Sequence, residues 1–342
     1  MRITAMSSFI PDLRIDVGEV VQAAGGRAVD ARVFRQLFGM DSVAALPADM
    51  SIRQAFLRLL SDMALSVEPR PVDEPVVDTL VYVHAFPVQH ADGIDFPREL
   101  CRSHPTLSQV ERCYEVNQHN CGSGFWGLSL AKSLLDCGVA KRVMLLIGDS
   151  FSQFPLGQRY IPGCTMMGDA FVGLVVDNLP GGCQIKRLHL QHHPEFHGGL
   201  FGHEQQNRDF FAAHHHMVMD ALQAVAFDTH SRQVILPHNI NKLSWMNFSR
   251  SFPETGACLN LDLLPEIGHC CATDPFLLLQ RYYDSQALPG EETAEDIALL
   301  SIGSGAYVGA CHVHFSPSVT LDKASTAKNG IHTSRQSMNM IQ

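Results

Sequence analysis

The 342-residue sequence contains no CxxC pair, no HExxH and no apolar run approaching the length of a membrane span. The first absence removes the usual zinc-ribbon and dithiol signatures, the second the metalloprotease helix, and the third a helical membrane anchor. Charge is sparse too, at 18% of residues, and tilted to one sign, with 25 Lys and Arg against 35 Asp and Glu. That balance gives nucleic acid no electrostatic foothold. The opening Met1–Pro11 lacks the basic start, apolar core and cleavage site of a secretory leader. The sequence therefore predicts a soluble, cytoplasmic chain, not associated with membranes, whose ten cysteines are reduced thiols, scattered singly except for Cys270-Cys271.

Histidine is what the chain has in abundance: 18 residues, densest at His192-His-Pro-Glu-Phe-His197 and His214-His-His216. No group has the HExxH spacing of a zinc helix, His203-Glu204 lacking its second histidine, so no metal is predicted, and most of these side chains are read as loop and surface residues. Gly148-Asp-Ser150-Phe-Ser152 lacks the closing glycine of a nucleophile elbow, which makes Ser150 a turn residue. Gly303-Ser-Gly305 precedes no helix and is not a dinucleotide loop.

Strand and helix patterns alternate along the chain. Strands are predicted at 1–10, 75–84, 143–148, 167–177, 183–190, 233–237 and 296–302, that over 75–84 of the buried kind, with a last strand over 306–315. Helices are predicted over 17–24, 30–38, from Ser51 to Met63, 96–104, 209–227, from Asn241 and over 273–283. The turn formers Asn178-Leu-Pro-Gly-Gly182 mark the best internal boundary. The reading is thus an α/β layered protein of two halves, 1–180 and 181–315, followed by a loose polar tail at 316–342.

Between two of these strands lies Asn117-Gln-His-Asn-Cys121-Gly-Ser-Gly, followed by apolar residues at Phe125, Leu128, Ala131, Leu134 and Leu135 and closed by Gly138. This spacing predicts a helix with Cys121 at its entrance. A thiol there feels the positive end of the helix dipole, which favours the nucleophilic thiolate. On position alone a buried structural cysteine is the commoner arrangement.

Three separated pieces fall into one pattern: Cys121 at a helix entrance, Pro237-His238-Asn-Ile-Asn241 after a strand, and Gly268-His269 before a helix. Their order and intervals resemble those of the thiolase-fold condensing enzymes, especially β-ketoacyl-[acyl carrier protein] synthase III. Gly168-Asp-Ala-Phe-Val-Gly173 and Ile302-Gly-Ser-Gly-Ala-Tyr-Val-Gly309 are similar to two glycine-rich segments of that family. The resemblance spans most of 1–315 and implies a five-layered αβαβα fold of two similar halves, normally a homodimer. It implies an acyltransferase in which Cys121 takes an acyl group from a coenzyme A or acyl carrier protein thioester, with no cofactor. His238 and His269 would polarise the substrate, and the backbone N–H groups of Cys121 and Ser304 would form the oxyanion hole. Phe34, Asn241, Lys242 and Arg250 fall at substrate-binding positions, the last two facing the carrier.

Two departures stand out. The family has Asn where this chain has His269, and its early coenzyme A-gripping segment is replaced by Phe34-Arg-Gln-Leu-Phe-Gly39. The resulting expectation is decarboxylative condensation with a malonyl-type thioester, in a specialised-metabolite or fatty-acid-like pathway. The alternatives are acyl transfer to oxygen or nitrogen and, from another class, a non-catalytic partner subunit.

Overall fold

A computed structural model describes residues 1–63, 75–86, 95–199, 202–228, 233–286 and 296–315. The expected loose tail lies outside them. Nine strands form the main sheet: β1 (Arg2–Phe9), β2 (Thr79–Val83), β3 (Arg112–Val116), β4 (Arg142–Asp149), β5 (Ala170–Asp177), β6 (Cys183–His192), β7 (Gln233–Pro237), β8 (Asp296–Gly303) and β9 (Tyr307–Phe315). Their spatial order is β7-β8-β9-β6-β1-β5-β4-β2-β3.

Outward from β1 the order β5-β4-β2 matches the order β9-β8-β7 outward from β6. The pairing senses match as well, antiparallel twice and then parallel. The two half-sheets meet only where β1 and β6 begin, at Arg2↔Gln184 and Ile3↔Cys183. Most of β2, β4, β5 and β8 is buried on both faces, which is why these segments read as continuous β-branched and aliphatic runs.

Helices supply the layers. α1 (Ile52–Asp62) lies on β1 and β5, and α2 (Phe96–Ser103) on β2 and β3. α3 (Ser123–Asp136) packs against β2 and β4 of one half and β6 and β9 of the other, while α6 (Asp274–Gln286) packs against β7, β8 and β1. On the far side α4 (Glu204–Ala224) covers β8 and β9, and α5 (Lys242–Ser251) packs on α4. The result is the five-layered αβαβα arrangement, with α3 and α6 as its central layer.

The central layer is buried because its sequence is apolar at the right spacing. Phe125, Leu128 and Ala131 are fully enclosed, Leu135 nearly so, and Leu134 half-buried against the same cluster. Each such large side chain contributes roughly 1.5–3 kcal/mol. The two helices touch at Gly124, where an added Cβ would stand 2.6 Å from the Phe276 ring.

The predicted helix over 209–227 is displaced towards the N-terminus. α4 begins at Glu204, where the pairs Glu204–Arg208 and Gln205–Asp209 stabilise its polar first turns. It ends by Val225, because Ala226 adopts a left-handed φ of 57°. Its inward face carries His214, Met217, Val218, Ala221 and Leu222.

Candidate active site

After β3 the chain turns through Asn120, whose φ of 51° is left-handed, and a 3-10 turn over Asn120–Gly122 delivers Cys121 to the start of α3. This turn is braced on both sides. His119 stacks on Trp126 at 4.3 Å, His192 stacks on Tyr307 at 4.3 Å, and His119 meets Tyr307 edge-on. From β8, Ser301 Oγ donates to Cys121 O at 2.9 Å. Only glycine fits at 303, where a Cβ would lie 2.5 Å from His119 O and 3.1 Å from Cys121 N.

His269 arrives from the other half. Its N–H donates to Met166 O at 2.9 Å, and its carbonyl accepts from Gly168 N at 2.8 Å, so its backbone is pinned like a strand residue. Its Nε2 stands 3.0 Å from Cys121 Sγ, and its Nδ1–H donates to Asp274 Oδ2 at 2.5 Å. Asp274 is fully buried and also accepts from Asn239 N at 2.7 Å and Cys270 N at 2.8 Å. Cys121, His269 and Asp274 thus form a thiol–imidazole–carboxylate relay. A carboxylate on Nδ1 fixes the tautomer that presents a basic Nε2 to the thiol. Asp274 was not singled out in the sequence; its only signal is an acidic residue at the start of a helix five positions after His269.

The electrostatics follow from these contacts. The neighbouring Cys271 thiol and then His269 hold Cys121 down to about 6, against burial, which pushes the other way. Burial also opposes charge on His269, but Cys121 and Asp274 outweigh it and raise its pKa to about 10. Both shifts favour a thiolate beside an imidazolium. α3 and α6 begin at Ser123 and Asp274, so their positive ends lie beside Cys121 and at Asp274.

His238 follows β7 and is held by its own N–H to Leu300 O at 3.0 Å and by Trp245 Nε1 donating to its carbonyl at 3.1 Å. Its ring lies 5.9 Å from that of His269 and 6.0 Å from that of His214. Burial, then His269 and His214, holds its pKa well below the ordinary value, so this imidazole is neutral. His214 is likewise buried and brought down to about 4, mainly by burial. It belongs to the core, unlike the surface residue read from its histidine-rich stretch.

Cys121, His214, His238, His269 and Ser304 line one cavity of about 190 Å³. Its remaining wall is mostly apolar, built from Phe86, Ile161, Met167, Phe210, Ile240 and Ile302 among others. Ser304 N–H donates to Asn120 Oδ1 at 3.1 Å, and the same oxygen is 3.0 Å from Cys121 Sγ.

The other four expected substrate contacts are not among the residues that line this cavity. Phe34 is 1% exposed and packs edge-on against Phe38 and Tyr160. Asn241 spends both side-chain groups on structure: Nδ2 donates to Cys164 O at 2.8 Å and Oδ1 caps α5 at Ser244 N, 2.7 Å away. Lys242 is exposed beside Gly39, and Arg250 is exposed further along α5, donating to Asn247.

No family model matches the chain, and no curated protein is matched by sequence. Solved structures do match. ChlB3, described as an acyltransferase, shares 20% identity over 92% of this chain and 98% of its own, with a TM-score of 0.72. β-Ketoacyl-[acyl carrier protein] synthase III of Thermus thermophilus superposes over 93% of this chain and all of its own, at 14% identity and a TM-score of 0.72. OleA of Xanthomonas campestris, bound with cerulenin, gives 13% identity, 92% and 96% coverage and a TM-score of 0.71. The chain has the thiolase fold. In this thiolase-fold chain the two halves bring the entrances of α3 and α6 together, which is how residues 148 positions apart, Cys121 and His269, come to share a hydrogen bond. Among the described residues no helix is long and apolar enough to cross a membrane.

Proposed function

We propose that the protein is an acyltransferase that carries its acyl group as a thioester on Cys121. The observation that carries this reading is the relay, with Sγ 3.0 Å from Nε2 and Nδ1 2.5 Å from Asp274. With its proton already on His269 Nε2, Cys121 attacks as the thiolate on the carbonyl carbon of a coenzyme A or carrier-protein thioester. Asn120 Oδ1 sits 3.0 Å from Sγ and accepts the Ser304 N–H at 3.1 Å. The N–H groups of Cys121 and Ser304 are the donors we assign to the oxyanion that forms on attack. Collapse expels the donor thiolate, which takes the proton from His269 and leaves the acyl-enzyme.

For the second half the relay favours transfer to a hydroxyl or amine. His269, backed by Asp274, is a base that accepts the acceptor's proton as its oxygen or nitrogen attacks the thioester, and Cys121 leaves as thiolate. A second reading, decarboxylative condensation, is favoured by the neutral His238, whose ring can donate a hydrogen bond to an enolate. Lys242, two residues from cavity-lining Ser244, and Arg250 are the positions we assign to an acidic carrier protein, with the chain acting as a homodimer.

Intact mass after incubation with a panel of acyl-coenzyme A and acyl-carrier donors tests the first half. The wild type should gain one acyl group, and Cys121→Ala none; no adduct from any donor would instead favour a non-catalytic subunit. Adding acceptors to the loaded enzyme tests the second half. Release of an ester or amide without carbon dioxide supports transfer, whereas carbon dioxide from a malonyl donor selects condensation.

A further inference from the structure

Cys271 enters acyl transfer only as the thiol that helps hold Cys121 ionised, yet it is also the third member of a buried group. Cys121 Sγ, His269 Nε2 and Cys271 Sγ all lie within 4.8 Å of one another. We propose that these three atoms form a binding site for a thiophilic divalent cation, Zn²⁺ foremost, and that an ion bound there excludes the acyl donor.

Two sulfurs and an imidazole nitrogen are the donor set that a borderline-soft ion selects over Mg²⁺ or Ca²⁺. A tetrahedral ion with Zn–S near 2.3 Å and Zn–N near 2.0 Å needs donor–donor edges of roughly 3.5–3.8 Å. The Sγ–Nε2 contact of 3.0 Å, bridged by a proton, must open by about half an ångström to admit the metal in its place. The outer shell is already built: His269 donates its other ring N–H to Asp274, the carboxylate–histidine arrangement that orients and strengthens a metal-bound imidazole. Asp274 is itself fixed by the Cys270 and Asn239 N–H groups. Three protein donors leave the fourth position towards the cavity for water. Binding displaces thiol protons to solvent and occupies the Cys121 lone pair that attack on a thioester requires. Cys271 itself holds a left-handed φ of 55°, a conformation few non-glycine residues adopt, and that turn directs its thiol to the nucleophile. Cys270-Cys271 has no metal-ligand spacing in the sequence, and the site exists only because the fold joins 121 to 269–271.

The test is titration of the metal-stripped, reduced full-length protein with Co²⁺, followed by competition with Zn²⁺ and native mass spectrometry. One equivalent of Co²⁺ should produce intense thiolate-to-metal charge-transfer absorption with tetrahedral d–d bands, and Zn²⁺ should bleach both. Cys271→Ser should weaken binding by more than the roughly 100-fold that loss of an outer-shell partner costs, and alkylation of Cys121 should abolish the spectrum. The Cys101–Cys113 pair, 3.6 Å apart, is the competing thiol site, so Cys101→Ser is the control and should change nothing. Octahedral spectra without charge transfer, or a signal that survives Cys271→Ser and vanishes in Cys101→Ser, would overturn the proposal. The readout is separate from acylation: an acyl adduct without thiolate-bound Co²⁺ rejects the metal site alone, and the reverse rejects the acyl-enzyme alone.

Discussion

His269→Asn should raise the pH at which Cys121 becomes reactive and suppress acyl transfer to a hydroxyl by about 10²–10⁴-fold, the range for loss of a positioned general base. The wild-type thiol is held to about 6, so its reactivity towards iodoacetamide should be full above that pH and lost as pH falls through it. Asparagine can neither take the proton nor carry a positive charge beside Sγ. The midpoint should then move up towards the ordinary thiol value of about 8.5, where the thiolate fraction at pH 7 is about 30-fold smaller. The Cys271 contact remains and limits the shift. A full alkylation profile against pH, with intact mass to confirm the modified residue, reads this directly. An unchanged midpoint would mean that His269 does not set the thiolate. The substitution also separates the two chemistries. In transfer to oxygen or nitrogen the base is indispensable, whereas in condensation an amide can still donate a hydrogen bond to the enolate, so carbon dioxide release that survives His269→Asn would favour condensation.

The fold was legible because its signals are local. Cys121 announced itself through the 3.6-residue spacing of Phe125, Leu128 and Ala131 behind it, and that helix lies in the central layer as the apolar stripe demands. The strands β2, β4 and β5 read as buried because nearly every position is apolar. What escaped the sequence is what depends on distant contacts. Asp274 looks like an ordinary acidic helix start until the fold sets it 2.5 Å from a histidine that itself meets a cysteine 148 residues away. His214 looks like one of three consecutive surface histidines, and it is the packing of α4 on β8 and β9 that buries it. Asn241 and Phe34 were placed at substrate contacts by the family resemblance, and what the sequence did not disclose is that a helix cap and aromatic packing engage their side chains.

The segment Gly168-Asp-Ala-Phe-Val-Gly173 resembled a family motif with no task attached, and Asp169 supplies the task. Its carboxylate, 0% exposed, accepts from six donors: Phe151 N (2.7 Å) and Arg159 Nη1 (2.9 Å) on one oxygen, and Leu46 N (2.8 Å), Ser150 Oγ (3.1 Å), Ser152 Oγ (2.6 Å) and Arg159 Nη2 (2.8 Å) on the other. Asp169→Asn preserves shape but must point an NH₂ at one of these donor sets and leave the 2%-exposed Arg159 with an uncompensated charge. The expected loss is about 3–5 kcal/mol, seen as a lower urea midpoint. The double variant Asp169→Asn/Arg159→Met removes the stranded charge and should recover part of that loss; losses that simply add would show that the pair is not coupled. The consequence reaches the active site. Arg159 Nη1 also donates to Met167 O at 3.0 Å, and Met166 and Gly168 hold the backbone of His269 at 2.9 and 2.8 Å. Asp169→Asn should therefore slow acylation of Cys121 even at temperatures where the variant is fully folded, although residue 169 touches no reacting atom. Normal acylation by a folded Asp169→Asn protein would confine this network to stability and leave His269 fixed by its own loop.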